Sequence, residues 1–177
     1  MFTDIVLAPR ADGFDRMASR LGIRVLYTDG YRMVNGPKDV KGGGLLVGGP
    51  SRTWIDHPLV KIVTGFEGVH AKDSMHYRRG GLAEGDLTAL HDKEKIVAFD
   101  FSAMLLGGAV HLGRVSQNIV LLRKAKVEWI IASFARTSYG MRSSRDYECL
   151  LRVLGARGDE AKRAVTLLSS LLGKQDL

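Results

Sequence analysis

The feature that most restricts this chain is a repeated switch between two apolar periodicities. Strand-like runs rich in β-branched and aromatic residues fall at 2–8, 24–27, 45–47, 59–64, 96–101 and 127–133. Between and after them, apolar residues recur at helical spacing over 12–21, 86–93, 111–126, a segment starting near Ser143, and 159–172. A period of two makes a strand and a period near 3.6 makes an amphipathic helix, so regular alternation predicts strand–helix units on a parallel sheet. Across 177 residues that is one domain, 1–177, with room for a real core. A full eight-fold barrel usually takes about 250 residues, so the expected fold is either a compressed barrel or an open α/β sheet.

Local signals sharpen several boundaries. In 111–126, Leu112, Val115, Ile119 and Leu122 share one face, which assigns Arg114, Gln117 and Lys124 to the opposite, solvent face. Ser143 with Asp146 three residues on predicts a helix N-terminus, Tyr147, Leu150, Leu151 and Leu154 its buried face, and Gly155 its stop. Asp100 closes an apolar strand just ahead of Ser102 and is expected to cap the next helix. The glycine-rich stretch 34–50 is read as loop around the short strand 45–47.

Several function classes are not supported. The segment 41–50 (KGGGLLVGGP) matches neither phosphate-loop spacing nor the dinucleotide fingerprint. His57, His70, His76, His91 and His111 include no pair at the spacing that brings two imidazoles to one metal, so no metal site and no catalytic residue is assigned. Cys149, the single cysteine, is expected to be a half-buried structural thiol at a helix edge. No apolar run approaches the roughly 20 residues of a membrane span, so no membrane partner is expected and the expected location is cytoplasmic.

Charge points to a polyanion. The chain carries a formal +7, and from Arg114 onward twelve Lys and Arg face six Asp and Glu, which leaves +1 for everything before. An imbalance confined to one region speaks to partners rather than to fold. Within it, the polar loop 134–142 and the helix start after it gather Arg136, Ser138, Tyr139, Arg142 and Arg145. Guanidinium forks, hydroxyls and helix N-terminal amides are the parts from which phosphate sites are made.

The same residues carry a resemblance. Gly81-Leu82, then Val97-Ala98-Phe99 through Leu105-Leu106, then Arg114, Asn118-Ile119, Leu121 and Arg123-Lys124 follow one pattern in order. It continues with Ser133, Ala135-Arg136, Tyr139, Met141-Arg142-Ser143 and Arg145-Asp146, then Leu154-Gly155 and the helix start at Glu160. This stretch, strongest over 81–165, resembles protein component 3 of archaeal ribonuclease P, the homologue of the eukaryotic thirty-kilodalton subunit. Phe2-Thr3-Asp4 resembles that family's opening strand. Two positions depart from the pattern: Phe134 stands where the family usually has glycine, and Ser144 where it usually has proline.

The resemblance implies a compact, incomplete TIM-like (β/α) barrel. It implies a non-catalytic subunit that assists the RNA-catalysed removal of the 5′ leader from precursor tRNA. The implied partners are ribonuclease P RNA, protein component 2, the other protein subunits and precursor tRNA, with magnesium held by the RNA and no cofactor on the protein. Arg114, Lys124, Arg136, Ser138, Arg142 and Arg145 are the residues expected to meet RNA. Two rival functions are a metal-dependent phosphoesterase on the same barrel, which needs clustered His and Asp at strand ends, and a scaffold whose basic face meets an acidic protein.

Overall fold

The computed structural model describes residues 1–36, 39–40 and 44–173. The described elements run β1 (Thr3–Ile5), α1 (Asp12–Leu21), β2 (Arg24–Leu26), β3 (Tyr31–Val34), β4 (Leu45–Gly48), α2 (Arg52–Asp56) and β5 (Val60–Thr64). They continue with α3 (Glu84–Asp92), β6 (Ile96–Asp100), α4 (Phe101–Ala125), β7 (Glu128–Ala132), α5 (Ser144–Val153) and α6 (Gly158–Leu172). Every ladder between them is parallel.

β3 to β7 form one five-stranded sheet in chain order, and β1 pairs with β2. The pair is tied to the sheet just beyond the end of β7. There the Phe134 N–H donates to the Ile5 carbonyl (2.8 Å) and the Leu7 N–H to the Ala135 carbonyl (2.9 Å). Among the described residues no ladder joins β2 to β3, so the closed TIM-like barrel is not detected. Only residues 27–30 separate those two strands, too few to carry the chain back and pair it in parallel. What the chain forms is a mixed α/β fold on a parallel five-stranded sheet.

The strands are apolar on both sides, as a sheet covered on both faces requires. Alternation sorts the side chains into two cores. Ile5, Tyr31, Leu45, Val47, Ile62, Ile96, Ala98, Ile130 and Ala132 form one, closed by Phe134 and by Leu168 of α6. Their neighbours, among them Leu46, Val63, Val97, Phe99, Trp129 and Ile131, pack with Phe14, Trp54, Leu90, Ile119 and Leu151 of the helices. Gly48 makes one such approach possible, because a Cβ there would come within 2.6 Å of Trp54.

Some expectations are corrected here. β3 and α2 fall where the sequence shows no clear period, and Val34, assigned to loop, ends a strand. Residues 37–38 and 41–43 of the glycine-rich stretch lie outside the described residues. The helix expected at 111–126 begins earlier: α4 is two helical pieces meeting at Gly108, whose backbone (φ 58°, ψ −151°) suits glycine alone. Cys149 is exposed rather than half-buried, because it points away from the Tyr147–Leu151 face of α5.

Candidate nucleic-acid interface

Parallel strands end on a common edge, and in open and closed α/β sheets that carboxyl edge collects functional groups. Here the edge gathers the residues after β5, the start of α4 and the loop after β7. The root of the last loop is a buried carboxylate. Asp4 of β1 is fully buried, and its Oδ1 accepts the Ser133 N–H at 2.6 Å. The Ser133 hydroxyl donates to the Ile5 carbonyl and accepts from the Ala135 N–H. Burial pushes the Asp4 carboxyl up to about 7, against the lowering effect of the Ser133 bonds. Burial, and then the Asp4 charge, also pushes up the Tyr147 phenol.

Phe134 turns the chain out of β7 with φ 47°, in the left-handed region where glycine is most at ease. Its ring is 2% exposed and fills the inner core, which offsets the strained backbone. The glycine expected of the resembled pattern at this position thus has a geometric reason. Ser144, the other departure, is the first helical residue of α5, the one helical position that proline fits well.

The rim beyond this root is cationic. Arg136 is exposed, and its charge works against the burial that raises the Asp100 carboxyl. Asp100 caps α4 as expected, its Oδ1 accepting the Ala103 N–H at 2.9 Å. Ser138 is half-buried on a 3₁₀ turn (Ser138–Gly140), and Tyr139 is 82% exposed, so its ring does not pack over the strand end. Ser143 caps α5: its hydroxyl accepts the Asp146 N–H, and the Asp146 carboxylate accepts the Ser143 N–H at 3.1 Å. Those Ser143 bonds hold the Asp146 carboxyl low, with the Arg142 and Arg145 charges adding to them.

The three loop arginines are not equivalent. Arg142 donates through Nη1 to the carbonyls of Tyr139 (2.8 Å) and Met141 (2.7 Å), and its guanidinium sits 5.7 Å from the Phe101 ring centroid. It braces the loop. Arg136 and Arg145 are exposed, and among the described residues neither makes an ion pair. With Ser138 and Tyr139 they are the groups this loop offers to a ligand.

Two expected site residues lie elsewhere. Arg114 is 4% exposed, not on a solvent face. Its Nε donates to Asp73 at 2.8 Å, and its Nη1 donates to the carbonyls of Glu67 and His70. The residues after β5 fold over that side of α4, which a helical wheel cannot show. Lys124 is exposed but stands near the end of α4, where the chain turns into β7. The loop arginines follow the far end of β7, roughly 16 Å on at about 3.3 Å per strand residue. Arg123 is a clamp, gripping the Glu160 carboxylate with two nitrogens at 2.5 and 2.6 Å.

Sequence reasoning missed the network beneath Arg114. Asn118, fully buried, donates to the Glu67 carboxylate and the Gly80 carbonyl, each at 2.8 Å. Burial raises the Glu67 carboxyl. Gly81 takes φ 84°, and a Cβ there would lie 1.9 Å from the Phe66 carbonyl oxygen. Asn118 and Gly81 both belong to the resembled pattern, which was the available signal. Among the described residues no group of three or more His, Cys, Asp or Glu is gathered as a metal ion would require, and no helix is long and apolar enough to cross a membrane.

The fold is that of a known assembly's component. It is similar to a chain in the cryo-EM structure of archaeal ribonuclease P with mature tRNA, with a TM-score of 0.70 and 15% sequence identity. The alignment covers 99% of this chain and 83% of that one. No family model and no curated protein matches the sequence.

Proposed function

We propose that this chain is a protein subunit of ribonuclease P, corresponding to component 3, and that it has no catalytic role of its own. The observation that carries the reading is the fold shared along 99% of the chain with a component of an archaeal ribonuclease P that holds tRNA. The 81–165 sequence pattern supports it, since Gly81, Asn118 and Asp146 occupy positions with specific geometric demands. On this reading the fold is an incomplete barrel, with β1 and β2 laid against the end of β7.

The protein's part is to neutralise and position RNA backbone, with Arg136 and Arg145 contacting phosphates beside Ser138 and Tyr139. Component 2, the remaining protein subunits, ribonuclease P RNA and precursor tRNA are the partners. Magnesium is expected with the RNA. The phosphoesterase alternative would need clustered His and Asp at strand ends, a grouping not found among the described residues, and the cytoplasm is the expected location.

Reconstitution tests the reading. Ribonuclease P RNA with component 2 is assayed on precursor tRNA with and without this chain. The chain should raise the rate of cleavage at the mature 5′ end and do nothing to precursor tRNA without the RNA. An unchanged rate, or cleavage by nuclease-treated protein alone, would overturn it.

A further inference from the structure

We propose that the connection after β5, residues 69–80, is a second RNA contact, which takes an unpaired strand by stacking a base on Tyr77 and holding its phosphates with Lys72, Arg78 and Arg79. The inference rests on reading the chain as an RNA-binding subunit, and it adds a site and the kind of RNA that site accepts.

The connection leaves the same carboxyl edge of the sheet as the loop after β7. It is shaped from within by a buried polar network. Arg114 holds the Glu67 and His70 carbonyls, Asn118 holds the Gly80 carbonyl, and Gly80 sits so close that a Cβ would come within 2.3 Å of Asn118 Oδ1. Asp73 is the one carboxylate in 69–80, and it is half-buried. It accepts the Arg79 N–H at 3.0 Å and the Arg114 Nε–H at 2.8 Å. The Ser74 N–H closes the turn on the Tyr77 carbonyl at 3.0 Å.

With its acid tied to those two donors, the connection presents solvent with cations and rings beside the apolar Val69, Ala71 and Met75. Lys72, His76, Arg78 and Arg79 are exposed, and Tyr77 is 62% exposed. The Arg79 guanidinium lies 5.9 Å from the Tyr77 ring centroid. It covers one face of the ring, which leaves the other for a base. Arg78 lies along α4, its Nη1 donating to the Gly113 carbonyl at 3.4 Å, and the residue is exposed. An exposed aromatic beside backbone-neutralising cations is the arrangement that binds single strands without sequence preference. Duplex RNA offers such a ring no base face, because its bases are stacked inside the helix. Holding the connection in one shape lowers the ordering cost of binding.

The test is fluorescence anisotropy of labelled oligoadenylate, alone and paired with oligouridylate, against the full chain and its variants, with melting temperatures alongside. Wild type should bind the single strand more tightly than the duplex. Tyr77→Ala should weaken single-strand binding roughly 5- to 100-fold at an unchanged melting temperature, and Tyr77→Phe should bind like wild type. Replacing Lys72, Arg78 and Arg79 together by Ala should flatten log K against log[salt] by about 2, at roughly 0.7 per lost phosphate contact.

Wild type with no single-strand preference overturns the proposal. So does Tyr77→Ala with single-strand affinity within about twofold of wild type. A Tyr77→Ala defect confined to binding component 2 overturns it too, in favour of a protein surface. The reconstitution assay separates the two readings. If the chain fails to stimulate cleavage but the Tyr77 and salt effects hold, the subunit reading falls and this contact stands. If it stimulates cleavage and Tyr77→Ala changes nothing, the reverse follows.

Discussion

Two basic connections leave the same edge of the sheet, and they are held in different ways. The loop after β7 is fixed mainly by short-range devices: the Ser143–Asp146 capping box, the 3₁₀ turn and Arg142 on the carbonyls of Tyr139 and Met141. The connection after β5 is fixed by long-range ones, with Arg114, Asn118 and Glu67 buried between it and α4. Each presents an exposed tyrosine beside arginines. A residue's basic charge therefore does not say whether it meets a ligand or holds the loop that does. Arg114 and Arg142 bond to backbone carbonyls of their connections, whereas Arg136 and Arg145 are exposed and make no ion pair among the described residues.

Removing one holder from each connection should expose the contrast. Arg114→Ala strips a buried guanidinium from Asp73 and two carbonyls, and should cost about 3–5 kcal/mol and open residues 69–80 to limited proteolysis. Arg142→Ala removes a half-exposed brace and should cost about 1–2 kcal/mol, with 69–80 still protected. Equal losses in chemical denaturation, or no new cleavage in 69–80, would erase the distinction.

The Asp4 root of the β7 loop gives a smaller, pH-dependent effect. A carboxyl raised from 3.8 to about 7 keeps its proton on folding. From about pH 4 to 7 the native state therefore binds more protons than the unfolded one, and stability falls as pH rises through that window. Glu67 and Asp100 are also raised and titrate in the same direction, so the wild-type minus Asp4→Asn difference is the quantity to measure. That difference should change by a few kcal/mol at most, at about 1.4 kcal/mol for each tenfold change in proton affinity, and level off above about pH 7. A difference independent of pH would mean that Asp4 is ionised in the native state.

The smallest effect tests the first turn of α5. Ser143 already has an extended backbone (φ −71°, ψ 158°), which suits a following proline. Ser144→Pro should therefore be neutral or raise stability by about 0.4–1 kcal/mol. A clear loss in melting temperature would show that the Ser144 amide is needed.

Sequence legibility followed the same divide. The Asp100 cap, the Ser143–Asp146 box, Gly155 as a helix stop and the Val115–Ile119–Leu122 face all depend on neighbours a few residues away, and all were readable. Tyr31–Val34 was not, because a four-residue strand carries too little periodicity. Arg114 was misassigned because helical spacing reports which residues share a face, not which face a distant loop will cover. The 69–80 connection was invisible in charge totals, since its own +2 is diluted by acids elsewhere in residues 1–113, which sum to +1.

On the proposed function, RNA lies against the β7 loop through Arg136 and Arg145. The direct measurement is binding of ribonuclease P RNA over a salt series, in complex with component 2, for Arg136→Ala, Arg145→Ala and Arg142→Ala, with each melting temperature. The first two should each flatten log K against log[salt] by about 0.7 to 0.9 at unchanged melting temperature, while Arg142→Ala lowers the melting temperature and keeps the wild-type slope. Wild-type slopes for both Arg136→Ala and Arg145→Ala would contradict it.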